Sequence, residues 1–319
     1  MQLNQIQSLF ESAMDEIGKV IIGQVELVEG ALIALFCEGS VLIEGAPGLG
    51  KTLLVNTLSR VVSCGFNRVQ FTPDLMPSDL TGNSIYDMAE KKFRFRKGPL
   101  FTNLLLADEV NRSPPKTQSA LLEVMQEAQI TVDGTTYKLD RPFLILATQN
   151  PLEHEGTYPL PEAQVDRFMF KLLVDYPAPA EEVEILNHYA NGRDPRTLSG
   201  FDIKPILSAA DVIDIQKSVG QVILEPKIID YIASIVGKTR EWHSVSIGAS
   251  PRAGVSMLLA GRTMAACRGR DFVTPDDVKE VALWVLRHRI RLRPEAELEG
   301  STSDEVVRNI LDSVEVPRS

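Results

Sequence analysis

The sequence predicts an α/β fold, a mostly parallel sheet covered on both faces by helices, followed by a small all-helical domain. Three observations carry this expectation. Apolar runs at 40–44, 103–109 and 143–148 recur between segments of helical periodicity, as strands buried on both faces require. The run Gly45-Ala46-Pro47-Gly48-Leu49-Gly50-Lys51-Thr52 satisfies G-x-x-x-x-G-K-[ST] and sits between the first of these strands and a helical stretch. Beyond Tyr176-Pro177-Ala178-Pro179-Ala180 the periodicity is helical throughout.

Taken in order, residues 3–19 form an amphipathic helix and 25–37 a second one, separated by Val20-Ile21-Ile22-Gly23-Gln24. The glycine-rich run leads into a helix over 53–62, and 68–72 has strand character until Pro73 and Pro77 break it. Segments 83–88 and 93–96 alternate around a polar turn at 89–92, which predicts a hairpin. A helix follows over 114–128, with Ser113 as its N-cap and Pro114 at its first position. A second hairpin pairs 130–133 with 136–139, because Asp133-Gly134 suits a type I′ turn. After the hinge at 176–180, helices are expected over 181–190, 209–219, 226–243, 251–268 and 275–289, with a polar loop at 191–200. This divides the chain into an α/β domain (1–176), a helical domain (177–293) and a short acidic tail (294–319).

At 319 residues and 44% hydrophobic, the chain can fill two cores. Its 43 acidic against 33 basic residues give a net charge of −10, which disfavours a general grip on nucleic acid and makes protein partners the better expectation; a local basic pore stays open. Cys37, Cys64 and Cys267 are scattered and odd in number, which fits a reducing cytoplasm. No stretch approaches a membrane span, since 25–36 is interrupted by Glu26, Glu29 and Gly30. Glu11, Asp15 and Glu16 make the N-terminal stretch a poor signal peptide. The histidines at 154, 188, 243 and 288 are too dispersed to suggest zinc.

The glycine-rich loop points to nucleotide chemistry. Its glycines let backbone amides wrap a polyphosphate at the positive end of a helix dipole. Lys51 would reach the β- and γ-phosphates, and the Thr52 hydroxyl would bind Mg²⁺. Downstream, Asn103-Leu104-Leu105-Leu106-Ala107-Asp108-Glu109 is an apolar strand ending in two acids, as a Walker B element requires. Asp108 would hold the Mg²⁺ shell and Glu109 would polarise the attacking water. Acids at this place also suit the start of a helix.

Three local words narrow the reading: Asp108-Glu109-Val110-Asn111-Arg112-Ser113-Pro114-Pro115-Lys116-Thr117-Gln118-Ser119-Ala120-Leu121-Leu122-Glu123, Thr148-Gln149-Asn150-Pro151, and Leu160-Pro161-Glu162-Ala163-Gln164-Val165-Asp166-Arg167-Phe168. With them the chain closely resembles the MoxR family of AAA+ ATPases over nearly its whole length. The resemblance implies a P-loop AAA+ core with an insert in helix 2, a hairpin before the sensor 1 strand and a helical lid, usually in a hexameric ring. Both inserts match the two hairpins read from periodicity.

The family pattern makes Asn150 sensor 1, orienting the lytic water, although an Asx-type cap before Pro151 would also suit it. Arg167 matches the arginine finger that reaches a neighbour's nucleotide; the alternative is a salt bridge to Asp166. Arg252, in the first turn of a predicted helix where cations are disfavoured, matches sensor 2 and would read the γ-phosphate from the lid. Ile22, Gly23 and Gln24 match the segment lining the adenine. The basic run Arg287-His288-Arg289-Ile290-Arg291-Leu292-Arg293 reads as a helix end followed by an exposed alternating face.

The implied function is Mg²⁺-dependent ATP hydrolysis by a cytoplasmic homo-oligomer, coupled to remodelling or maturation of a protein client. That work is often metal loading, alongside a protein with a von Willebrand factor A domain. The two hairpins would contact the client. The alternatives are the ATPase subunit of a metal chelatase, a nucleic-acid motor using Lys91, Lys92, Arg94, Arg96 and Lys97, and a nucleotide-gated scaffold. Intact Lys51, Asp108, Glu109, Asn150 and Arg167 argue against the last.

Overall fold

Strands that are apolar on both faces must be covered on both, and their side chains alternate between two cores. Val41 and Ile43 enter one core and Leu42 the other; Leu104 and Leu106 part from Leu105 and Ala107 in the same way, as do Leu144 and Leu146 from Ile145 and Ala147. The computed structural model describes residues 1–46, 48–150, 157–195, 197–198 and 200–317. Pro47, Pro151 and His154, named above, lie outside the described residues.

In chain order the α/β part runs α1 (Leu3–Gly18), α2 (Val25–Phe36), β1 (Val41–Gly45), α3 (Lys51–Val61), β2 (Phe66–Gln70), α4 (Pro77–Thr81), β3 (Gly82–Asp87), β4 (Lys92–Lys97), β5 (Leu104–Asp108), α5 (Pro115–Glu127), β6 (Gln129–Val132), β7 (Thr135–Lys138), β8 (Leu144–Gln149), α6 (Glu162–Val165) and β9 (Phe170–Val174). The remainder is α7 (Pro179–Ala190), α8 (Ala209–Val219), α9 (Pro226–Glu241), β10 (Val245–Ile247), α10 (Pro251–Cys267), α11 (Pro275–Leu286), β11 (Arg291–Leu292), α12 (Pro294–Leu298) and α13 (Ser303–Ser313).

The main sheet has the order β2-β5-β8-β1-β9, and every pairing in it is parallel. Val41 is in register with Leu146 on one side and Phe170 on the other, so β1 is an inner strand. The C-terminal ends of β1, β5 and β8 therefore meet at one edge, where open parallel sheets bind ligands. The two expected hairpins form as β3–β4 and β6–β7, and Asp133 and Gly134 take φ of 50° and 76°, as a type I′ turn demands.

Several local expectations are corrected. Helix α5 starts at Pro115, with Pro114 in the N-cap position; the Ser113 hydroxyl instead donates to Val110 O at 3.3 Å, closing a 3₁₀ turn over Val110–Arg112. The stretch expected as an acidic tail holds α12 and α13. Thr302 and Glu305 form a reciprocal capping box at the start of α13, and Val306, Val307, Ile310 and Leu311 bury a stripe in the first core. In the basic run at 287–293, Arg291 and Arg293 alternate, exposed, with buried Ile290 and Leu292 as expected, but Arg287 and Arg289 are only 8% and 7% exposed. Among the described residues no helix is long and apolar enough to cross a membrane.

Ile310→Ala removes a fully buried side chain from α13. Urea unfolding is expected to show a loss of about 2–4 kcal/mol; a loss below about 0.5 kcal/mol would mean that α13 contributes only a frayed surface.

Candidate active site

At the C-terminal edge of the sheet lies a cavity of about 600 Å³. The loop before α3 supplies Gly48, Leu49 and Gly50, and the first turn of α3 supplies Lys51 and Thr52. Asp108 and Glu109 enter from the end of β5, and Thr148 and Asn150 from the end of β8. Ile22 and Gln24 line it from the segment between α1 and α2, and Ile185, His188 and Tyr189 of α7 form the facing wall.

Gly48 and Gly50 have φ of +85° and +79° in open space, so backbone conformation alone demands glycine there. Among the described residues, the first amide of this turn recorded with a helical acceptor is that of Leu54, on Gly50 O at 2.9 Å; the amides that open a helix are the ones able to meet an anion. Gly45 differs: a Cβ would stand 2.5 Å from Val174 O, so this glycine lets β1 and β9 approach. Its carbonyl accepts a 2.6 Å hydrogen bond from Lys51 Nζ. Burial pushes the Lys51 pKa down, while Asp108, Glu109 and Glu44 pull it back up. Ala46 connects Gly45 to the loop and is not part of the cavity wall.

The two acids are held apart in function by different partners. Asp108 Oδ2 accepts from Arg68 Nη2 and Nε at 2.7 and 3.2 Å, and its Oδ1 accepts from the Thr148 hydroxyl at 2.6 Å. Glu109 Oε2 accepts from Gln70 Nε2 at 2.6 Å and from Arg112 Nη1 at 3.2 Å. The Glu109 amide donates to Thr148 Oγ1 at 2.9 Å, so one hydroxyl braces both acids. Glu109 itself has φ of 57°, a costly conformation for a residue with a side chain and one that clusters at functional sites. Sequence reasoning missed Arg68 and Gln70. Their signal was the i, i+2 spacing on β2, whose register sets Gln70 beside Asp108.

Gln24 Nε2 donates to Asp175 O at 2.9 Å, and Gly23 sits against the Glu181 carboxylate, which in turn accepts from the Ala178 amide at 2.7 Å. The segment 22–24 thus rests on the hinge into α7. Asn150 is buried in the cavity wall.

Arg167 and Arg252 do not line this cavity. Arg167 is exposed, and among the described residues it makes no ion pair. Asp166, the partner considered for it, instead takes Arg252 Nη1 at 3.5 Å, Arg289 Nε at 2.8 Å and the Ser250 hydroxyl at 3.1 Å. Arg252, expected to read the γ-phosphate from the lid, does not line the cavity of its own chain and lies beside Asp166, one residue from Arg167.

Residues 40–170 match the ATPase family associated with various cellular activities (AAA), and residues 237–310 match the AAA lid domain. The chain is 44% identical to chaperone MoxR1 of Mycobacterium tuberculosis across 97% of its own length and 82% of that protein. The chain belongs to the MoxR family of AAA+ ATPases. It is also 44% identical to the uncharacterized protein YeaC of Bacillus subtilis, over 98% of this chain and 96% of that one. Protein MoxR of Methylorubrum extorquens is 26% identical over 95% of this chain and 93% of its own. A crystal structure from Cytophaga hutchinsonii, provisionally described as an ATPase, superimposes with a TM-score of 0.91 at 43% identity, covering 99% of this chain and 97% of that one.

MoxR membership makes the chain an ATPase. Lys51→Ala removes the ammonium on the cavity floor and is expected to weaken ATP binding roughly a hundredfold, two charge-assisted contacts being worth about that much. Titration with a fluorescent ATP analogue measures it; unchanged affinity would contradict the placement of the phosphates.

Proposed function

We propose that this MoxR-family ATPase works as a ring of identical subunits, a hexamer, in which Mg²⁺-dependent ATP hydrolysis remodels a protein client. The observation that carries the reading is that neither Arg167, which follows Asp166 in the chain and is exposed, nor Arg252, which bonds Asp166, lines the cavity of its own chain. Phosphoryl transfer gains about 10³ to 10⁵ in rate from a cation at the γ-phosphate. A neighbouring copy that presents this edge to the cavity would supply two.

Within one cavity, the loop amides and Lys51 would hold the β- and γ-phosphates, and Ile22, Gly23 and Gln24 would flank the adenine. Thr52 and Asp108 are hard oxygen donors on the same cavity and suit Mg²⁺, which takes few protein ligands and shares the rest of its shell with phosphate and water. Bound there, the ion would neutralise phosphate charge. Glu109 would accept the proton of the attacking water, with Asn150 orienting that water. The partners of Glu109, Gln70 and Arg112, would set where its carboxylate points.

The client surface in this reading is the paired hairpins. Ser84 Oγ donates to Asp133 Oδ2 at 2.6 Å, and Phe95 stacks on Tyr137 at 4.5 Å, so β3–β4 and β6–β7 form one body. Its tip exposes Ile85, Tyr86, Met88 and Phe93, and residues 82–97 carry five cations against two acids on a chain of net charge −10. Adaptable apolar side chains ringed by cations fit an acidic protein segment. Tyr86 and Phe93 meet edge to face at 65°, which leaves no flat platform for stacked bases. A partner with a von Willebrand factor A domain, metal loading of the client and action in the cytoplasm belong to the same proposal.

Glu109→Gln is expected to bind ATP normally and to turn it over about 10² to 10⁴ times more slowly; normal turnover would place the base elsewhere. Mixing Arg167→Ala with Glu109→Gln subunits, each nearly inactive alone, is expected to restore ATPase activity at interfaces that pair an intact base with an intact arginine. Absence of recovery at every mixing ratio would rule out action between subunits. Replacing Lys91, Lys92 and Arg96 together with Gln should leave basal turnover unchanged and abolish capture of clients by the Glu109→Gln trap. Stimulation of the parent enzyme by DNA, lost in that triple variant, would favour the nucleic-acid motor instead.

A further inference from the structure

Three consecutive residues after α11 reach across from the helical domain to one short stretch of the α/β domain. Arg287 Nη1 donates to Lys171 O at 3.2 Å, and His288 Nε2 donates to Phe168 O at 3.1 Å. Arg289 places its guanidinium fully inside: the side chain is 1% exposed. Its Nε donates to Asp166 Oδ1 at 2.8 Å, and its Nη1 to Met169 O at 3.0 Å and Val285 O at 2.7 Å. Its Nη2 donates to Phe168 O at 2.6 Å, Asp166 O at 3.1 Å and Ser256 Oγ at 3.4 Å. All five N–H groups of the fork are thereby engaged. Burial lowers the Arg289 pKa to about 10, with Asp166 opposing that fall, so the group stays charged at neutral pH. Burial and the adjacent Arg289 charge push His288 well down, which keeps it neutral with its proton on Nε2.

The carbonyls gripped are those of residues 166, 168, 169 and 171, and the residue inside this grip whose side chain stays in solvent is Arg167. We infer that Arg289, supported by Arg287 and His288, is a positioning residue that fixes the backbone on both sides of Arg167 and, through Asp166, the place of Arg252. The inference rests on the proposed action of Arg167 on a neighbouring copy. It adds that the helical domain sets that arginine's aim: a shift of the end of α11 moves the acceptor-bound backbone and with it the cation offered next door. A fork with five directed donors is needed for this, and a lysine, with three donors on one point, cannot hold four carbonyl directions.

Arg289→Lys keeps the charge and loses the fork. In the full-length assembly its kcat is expected to fall about tenfold or more, because small misplacements of a reacting group are costly, while KM for ATP stays within about twofold. Mixed with Glu109→Gln subunits it should regain turnover, since those Arg289→Lys cavities that adjoin a Glu109→Gln subunit then meet a well-held Arg167. The Arg167→Ala and Glu109→Gln pair serves as the control. Recovery in the control without recovery in the Arg289→Lys mixture would overturn the inference and leave the action of Arg167 between subunits standing, because the defect would then lie in the variant's own cavity. An unchanged kcat in Arg289→Lys would also overturn it, and failure of both mixtures would remove it together with the reading of Arg167. Should Arg289→Lys lose its cooperative thermal transition, Asp166→Asn, which retains an acceptor for Nε, is read by the same criteria.

Discussion

The parallel pairing of β1 between β8 and β9 is the constraint on which the site depends. The inner strands β1, β5 and β8, buried on both faces, can place polar chemistry only at their ends, and parallel direction gathers those ends at one edge. The phosphate loop, the two acids and Asn150 each follow one of these strands. Even the first glycine of the loop motif serves this packing, since Val174 O leaves no room for a side chain at residue 45. A motif usually explained by its ligand is here set partly by its sheet.

That logic explains what was legible in the sequence. Loop, acids, both hairpins and most helices follow from periodicity and turn chemistry, which are local. Strand β9 was not read, because Phe170-Lys171-Leu172-Leu173-Val174 is short and carries a lysine, and only its place beside β1 identifies it. Helix α13 was hidden by acids: Asp304, Glu305 and Asp312 outweigh, in composition, a stripe of four buried apolar residues. Arg68, Gln70, Arg287 and Arg289 were not seen as parts of the machinery, for a different reason. Their meaning lies in partners 39 to 123 residues away, and no local pattern reports such partners.

The two carboxylates at the end of β5 show how neighbours in sequence acquire different tasks. Asp108 is held by a cation and a hydroxyl, Glu109 by a side-chain amide and a more distant cation. The Thr148 hydroxyl accepts from the Glu109 amide and donates to Asp108, so β8 registers both acids at once. Rigidity of this kind suits groups that must meet a reacting phosphate without reorganising.

The buried guanidinium of Arg289 poses an energetic question. Taking a charge out of water costs several kcal/mol, and replacing buried ion pairs with apolar side chains is often neutral or stabilising. Stability alone is therefore a weak reason to keep an arginine where a leucine or methionine would fill the volume. What an apolar side chain cannot do is choose between positions of the backbone it touches, whereas directed bonds to the carbonyls of 166, 168 and 169 admit one. Arg167 follows that backbone directly, and Arg252 follows it through Asp166. The charge placed at the junction of the two domains is thus better understood as fixing geometry than as adding stability, and the geometry it fixes belongs to the edge that would face the next subunit.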